Sequence, residues 1–189
     1  MHNPLNFLPN RCRQARNGPN IPYSWQTSMK FEHLIEINNP GNPAIELLSR
    51  EQLWRGLVLR AEAPTLFVEH LDSCNILERS DTILSRSLRY GKLTVRDRVR
   101  FIDQYQVCYH VHAQGEISAA SLTMTIEEPE SGYLFVRFTY EDECQDTGPD
   151  AEYNDYRRSA YLESDIDTIR TIRQLAAEGR LGKLSDMEH

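Results

Sequence analysis

TILSRSLRYGKLTVRDRVRFI, residues 82–102, alternates with a period of two on either side of Gly91-Lys92. Such alternation marks strands with one buried face, and a two-residue break that begins with glycine marks a hairpin turn. With Gly91-Lys92 as the turn, Tyr90 lies opposite Leu93, Leu88 opposite Val95, and Leu84 opposite Val99. The inward sets are then Leu84, Arg86, Leu88 and Tyr90 on one strand, and Leu93, Val95, Asp97, Val99 and Phe101 on the other. Lys92, Arg96, Arg98 and Arg100 face water. Each inward set contains one charged intruder, and the register places those two, Arg86 and Asp97, directly opposite each other. A buried charge without its partner costs on the order of several kcal/mol, so their meeting is informative.

The same parity extends along the chain. In strand 106–114, Val107, Tyr109 and Val111 point inward, and Cys108, His110, His112 and Gln114 point outward. His110-x-His112 beside Cys108 has the donor types of a metal site. With Phe101 opposite Val107, however, His110 falls across from Arg98 and His112 across from Arg96. Two guanidiniums repel a cation, and no outward acid completes a coordination shell, so these are read as surface histidines and no metal is expected. Further strands are predicted at 73–80, 119–128 and 133–141. Earlier, KFEHLIEI alternates, with Phe31, His33, Ile35 and Ile37 on one face. Ser49 and Gln52 form a capping box for a helix with Leu53, Trp54, Leu57, Val58 and Ala61 on its apolar side, ended by Pro64. TLFVEHL predicts a second, short helical turn. Residues 151–178 form one long helix with a glycine stop at Gly179.

This order is α+β and predicts a helix-grip fold: a curved antiparallel sheet around a long C-terminal helix, with two short helices after the first strand. A ferredoxin-like arrangement needs a helix between the later strands, and none is available. MKFEHLIEIN, SREQLWRGLVLRAEAPTLFV, LRYGKLTVRDRVRF, AQGEISAASLTMTIEEPE and SAYLESDIDTIRTIRQLAAEG together resemble the AtaL-like group of the START/Bet v 1-like (SRPBCC) superfamily. The likeness covers residues 29–182. It does not include the segment before Met29, and the two histidines are not part of the family's pattern. The resemblance implies a deep cavity for an apolar or amphipathic small molecule, and it implies no particular reaction.

Composition bounds the rest. The 189 residues, 40% apolar and 26% charged, suit one globular domain. A net charge of −7 opposes nucleic acid and anionic membrane as partners, and no apolar run reaches the roughly 18–20 residues of a membrane span. Cys12, Cys74, Cys108 and Cys144 are widely spaced and are read as reduced thiols of a cytoplasmic protein. Residues 1–28 hold four prolines, five asparagines, three arginines and no acid, without periodicity. They are expected to form a disordered arm that adds little to the fold, with Met29 as an alternative start. They lack the apolar stretch of a secretory signal, and their prolines break a transit-peptide helix. The domain is placed at 29–182, with a loose tail at 183–189.

The cavity is expected between the inward sheet residues Leu88, Val95, Val99, Tyr109, Leu122 and Met124 and Ile169 of the last helix. On that helix, Leu162, Ile166, Ile169 and Ala176 are read as the inward stripe, with Asp165 and Arg158 beside it. Asp165 either reaches the cavity or fixes the helix to the sheet, and the second is favoured. Tyr153, Tyr156 and Tyr161 are read as packing residues near the helix start, and Trp54 and Phe67 as core or rim. Arg86 is either one half of a structural ion pair or the anchor for an anionic ligand group, oriented by Asp97. His33 is either a core histidine or a pocket group. No GxSxG, HExxH, P-loop or dinucleotide fingerprint is present, and no cofactor is expected. Three functions stay open. One is a small-molecule carrier or sensor. The second is an enzyme of cyclase, aromatase or hydrolase type using Arg86, Asp97 and His33. The third is a protein-interaction domain with a vestigial cavity, using the outward Arg89, Arg96, Arg98 and Arg100.

Overall fold

Alternation gathers the middle of the chain into one curved antiparallel sheet. The computed structural model describes residues 28–145 and 151–181. The elements are β1 Ser28–Glu36, α1 Arg50–Glu62, β2 Ser73–Arg79, β3 Ile83–Tyr90, β4 Leu93–Ile102, β5 Gln106–Val111, β6 Ala120–Glu130, β7 Tyr133–Gln145 and α2 Ala151–Ala177. The strand order is β1-β7-β6-β5-β4-β3-β2. This is the expected helix grip, with α2 packed on the sheet. The proposed N-terminal arm and the loose tail lie outside the described residues, apart from Ser28.

Because β1 and β2 are opposite edges, residues 37–72 must carry the chain across the sheet. Asn38 fixes the start of that crossing: its amide nitrogen donates to the Leu48 carbonyl at 2.7 Å, and its oxygen accepts from the Leu48 N–H at 3.0 Å. The capping box then opens α1 as expected. Gln52 N–H donates to Ser49 Oγ at 3.0 Å, and Ser49 N–H donates to Gln52 Oε1 at 2.8 Å. Leu53, Trp54, Leu57, Val58 and Ala61 are all buried. Gly56 lets α1 approach α2 closely, since a Cβ there would stand 2.5 Å from Ile172 Cγ2. The second short helix is less than expected. It is a three-residue 3-10 turn, Pro64–Leu66, because the backbone bonds from Phe67 and Val68 both return to the Pro64 carbonyl and the pattern goes no further.

The face of α2 also differs from the expected stripe. Leu162 and Ile166 are about two-fifths exposed, whereas Tyr161, Asp165, Thr168, Ile169 and Ile172 are buried. Polar partners on the sheet select that face, as shown below. Tyr156 is 76% exposed, Arg158 pairs locally with Asp155, and the Tyr153 side chain lies outside the described residues. Gly179 adopts φ +68° just after α2, which suits a glycine stop. The main core joins the sheet, α1 and α2; a smaller cluster of Leu71, Leu88, Tyr90, Val95 and Ile117 fills the β3–β4 end.

Candidate functional site

The β3–β4 register is the expected one, with Arg86 opposite Asp97. Both are buried, at 2% and 6% exposure. Arg86 Nε donates to Asp97 Oδ1 at 2.9 Å, and Nη2 donates to Oδ2, giving a two-pronged pair. Arg86 Nη1 donates to the Ala61 carbonyl at 2.6 Å, one of the last carbonyls of α1, which have no partner within the helix. The guanidinium lies 5.2 Å from the Tyr109 ring centre. Burial works against its charge, and the bonds to Asp97 more than offset this, so its pKa stands above the usual value. Arg86 therefore spends its donors on the sheet and on α1.

A second buried polar cluster runs along α2. On β7 the inward residues are Leu134, Val136, Phe138, Tyr140 and Asp142. Facing them from α2 are Arg157, Tyr161, Asp165 and Thr168, spaced at helical intervals on one side. Asp142 accepts from Arg157, which also donates to the Tyr161 hydroxyl at 2.9 Å. The Tyr140 and Tyr161 rings stack at 4.0 Å and 5°. The Tyr140 hydroxyl lies 2.8 Å from both oxygens of Asp165, sharing one proton between them. His33 Nε2 is 3.1 Å from Asp165 Oδ2, and the imidazole lies flat on Phe138 with centroids 5.4 Å apart. Arg60, buried on α1, donates to Thr168 Oγ1 at 3.2 Å. Burial pushes the Asp165 carboxyl up, opposed by His33, Arg60 and Tyr140. Burial and the Asp165 charge hold the Tyr140 hydroxyl well above its ordinary range.

Sequence reading placed His33 and Asp165 as candidates but missed Tyr140, Arg60 and the Asp142–Arg157 pair. A signal existed for each. Tyr140 and Asp142 are the polar members of an otherwise apolar inward alternation, and Arg60 follows Leu53 and Leu57 at seven and three residues, on their stripe.

The cavity lies between the sheet and α2. Leu88, Val95, Asp97, Tyr109 and Leu122 line it, and so do Tyr90, Tyr140, Asp142 and Tyr161. Arg86, Val99, Met124, His33, Asp165 and Ile169, expected there too, do not line it; they are buried or half-buried. Burial pushes the Tyr90 hydroxyl up to about 12. The space offered to the centres of water molecules is about 40 Å³, enough for a few waters. It is narrower than the deep cavity the sequence suggested, because four tyrosine rings fill its walls.

His110 and His112 are exposed, in edge-to-face contact at 4.3 Å. His110 lies opposite Arg98 as expected, but the β4–β5 ladder ends at that pair. The Gln114 side chain, not His112, meets Arg96. Its oxygen accepts from the Arg96 N–H at 2.9 Å and its nitrogen donates to the Arg96 carbonyl at 2.7 Å, imitating a backbone pair. Partial burial and the neighbouring His112 hold the His110 pKa below its ordinary value. Replacing both histidines by Gln is expected to leave melting temperature and metal content unchanged. Stoichiometric zinc in the parent protein, lost in the double variant, would contradict that expectation.

A family model described as acetylaranotin biosynthesis cluster protein L, AtaL, matches residues 35–179. No curated protein matches the chain. Among solved structures, the Zhui aromatase/cyclase from Streptomyces sp. R1128 is similar at 13% identity and TM-score 0.54, over 84% of this chain and 98% of that one. One region of the di-domain aromatase/cyclase StfQ of the steffimycin pathway is similar at 10% identity and TM-score 0.61, over 80% of this chain and 52% of that one. Ara h 8.0201 is similar at 13% identity and TM-score 0.51, over 80% of this chain and 99% of that one. Identities this low speak for the fold alone.

Proposed function

This chain belongs to the AtaL family, and from that premise we propose that it binds an apolar or amphipathic small molecule between the sheet and α2. The observation that carries this reading is the cavity wall. Leu88, Val95, Val111 and Leu122 supply apolar surface, while Asp97 and four tyrosines supply a few fixed polar groups. A ligand larger than a few waters enters by displacing tyrosine side chains. In a site of this kind, apolar contact supplies affinity and the polar groups set orientation.

The test combines native mass spectrometry of the full chain, to detect a retained small molecule, with titration of the apolar dye 1-anilinonaphthalene-8-sulfonate. Leu122→Trp fills the space from its sheet wall, and Ala120→Leu does so more gently. Both variants are expected to keep the parent's far-ultraviolet circular dichroism and to lose the retained molecule and the dye signal. Undiminished binding in both folded variants would place the ligand elsewhere and overturn the reading.

A second reading, an enzyme of the aromatase, cyclase or hydrolase type, rests on the His33–Asp165–Tyr140 chain, which reaches the cavity at Tyr140. Tyr140 forms part of the wall and is bonded to the carboxyl that His33 approaches. In this reading Tyr140 would deliver or accept the proton, and Arg86, committed to Asp97 and Ala61, would hold the scaffold. Recovery of the bound molecule chemically unchanged after prolonged incubation decides for binding; conversion that Tyr140→Phe abolishes decides for the enzyme.

A further inference from the structure

Among the described residues, nearly every arginine side chain has a partner. Carboxylates pair with Arg50, Arg79, Arg137 and Arg170, carbonyls accept from Arg173, and a threonine hydroxyl accepts from Arg60. Arg55, Arg86, Arg157, Arg158 and Arg180 are engaged as well. The exceptions are Arg89 on β3 and Arg96, Arg98 and Arg100 on β4, all exposed on the outer face of the sheet. Lys92, in the turn between those strands, is exposed too. In a chain of net charge −7, the arginines without a side-chain partner among the described residues are thus concentrated in one patch.

We infer that this outer face of β3 and β4 docks the acidic face of a helix on another protein. Outward side chains on a strand repeat every two residues, about 6.6–6.8 Å, so Arg96, Arg98 and Arg100 form a row about 13 Å long. Carboxylates four residues apart on a helix repeat at about 6 Å, which matches that row over two turns. The backbone of β4 is already paired on both sides, by β3 and β5, so no strand can add there and a partner must meet the face through side chains. Across from the row lie Ile83, Ser85 and Ser87 on β3 and Cys108 and His110 on β5, with Thr94 and Ile102 at its ends, mostly short or polar side chains, so charge dominates this face. Opposed fields across such a contact steer the encounter and set its register.

The experiment uses the full 189-residue chain and a labelled 21-residue alanine-based helical peptide with Glu at every fourth position, followed by fluorescence anisotropy at low ionic strength. The peptide is expected to bind saturably, and its counterpart with Gln in place of Glu is expected not to bind. The triple variant Arg96→Gln, Arg98→Gln, Arg100→Gln should weaken binding at least tenfold, while Arg50→Gln, Arg137→Gln, Arg170→Gln should change it less than twofold. Added salt should weaken it as well, since both surfaces are exposed. Matching melting temperatures establish that both triple variants fold. Several results overturn the inference: no binding by the parent, equal loss in both triple variants, or self-association of the parent that the β4 variant abolishes. Equal affinity for phosphatidylserine vesicles or an oligouridylate, lost in the β4 variant, overturns it too, because the face would then be a general anion surface.

Discussion

Arg86→Met and Asp97→Leu should each destabilise the protein by about 3–5 kcal/mol, and the double variant should recover a large part of that loss. Each single change leaves a charge almost wholly buried without its counter-ion, on facing positions of one hairpin. Removing both leaves an apolar wall among Leu84, Leu88, Val95 and Val99. Recovery should stop short of complete, because Arg86 also satisfies the Ala61 carbonyl at the end of α1. That carbonyl remains without its donor in both Arg86→Met and the double variant, at a cost of about 1–3 kcal/mol. Urea denaturation of the four proteins gives the coupling energy directly. Additive losses would mean that the two side chains act independently, contrary to their two-pronged contact. Ligand binding adds a second readout. If Arg86 is purely structural, the stabilised double variant should retain the small molecule, losing only what Asp97 contributed at the cavity wall.

Asp165→Leu is expected to cost about as much, 3–5 kcal/mol, through a different route. It removes the acceptor of the buried Tyr140 hydroxyl, the carboxylate beside His33 and the charge that offsets buried Arg60. Adding Tyr140→Phe to it should restore part of the loss, since the hydroxyl that needs an acceptor is then gone. Asp165→Asn keeps the shape and one acceptor and should lose less than half as much. The Asn variant also isolates a pH effect. Burial raises the Asp165 carboxyl, so between the unfolded carboxyl pKa, about 3.9, and its folded value the native state holds a proton that the unfolded chain has released. The stability this group contributes is full below about pH 3.9 and falls as pH rises through the folded value. The parent's advantage over Asp165→Asn should therefore shrink from about pH 4 upward, as read from urea midpoints. An advantage that grows with pH would show that the carboxylate is held ionised, with His33 and Arg60 outweighing burial.

Local chemistry wrote most of the architecture into the chain. A period of two, a Gly91-Lys92 break and one charged intruder per strand were enough to set the β3–β4 register and to bring Arg86 against Asp97, because a slip of one residue would turn every side chain to the opposite face. Ser49 and Gln52 began α1, and the unbroken 151–178 run gave α2. The rotation of α2 was decided by tertiary structure. By apolar content alone Leu162 and Ile166 belong inside, yet they face water, because Arg157, Tyr161 and Asp165 find partners in Asp142, Tyr140 and His33 on strands far away in sequence. A buried carboxyl or guanidinium is tolerable only with those partners in place, and periodicity along one helix carries no information about what the opposite wall offers. The same holds for the cavity. Its apolar wall was readable by parity, but its narrowness follows from four tyrosine rings that meet only when β3, β5, β7 and α2 are brought together.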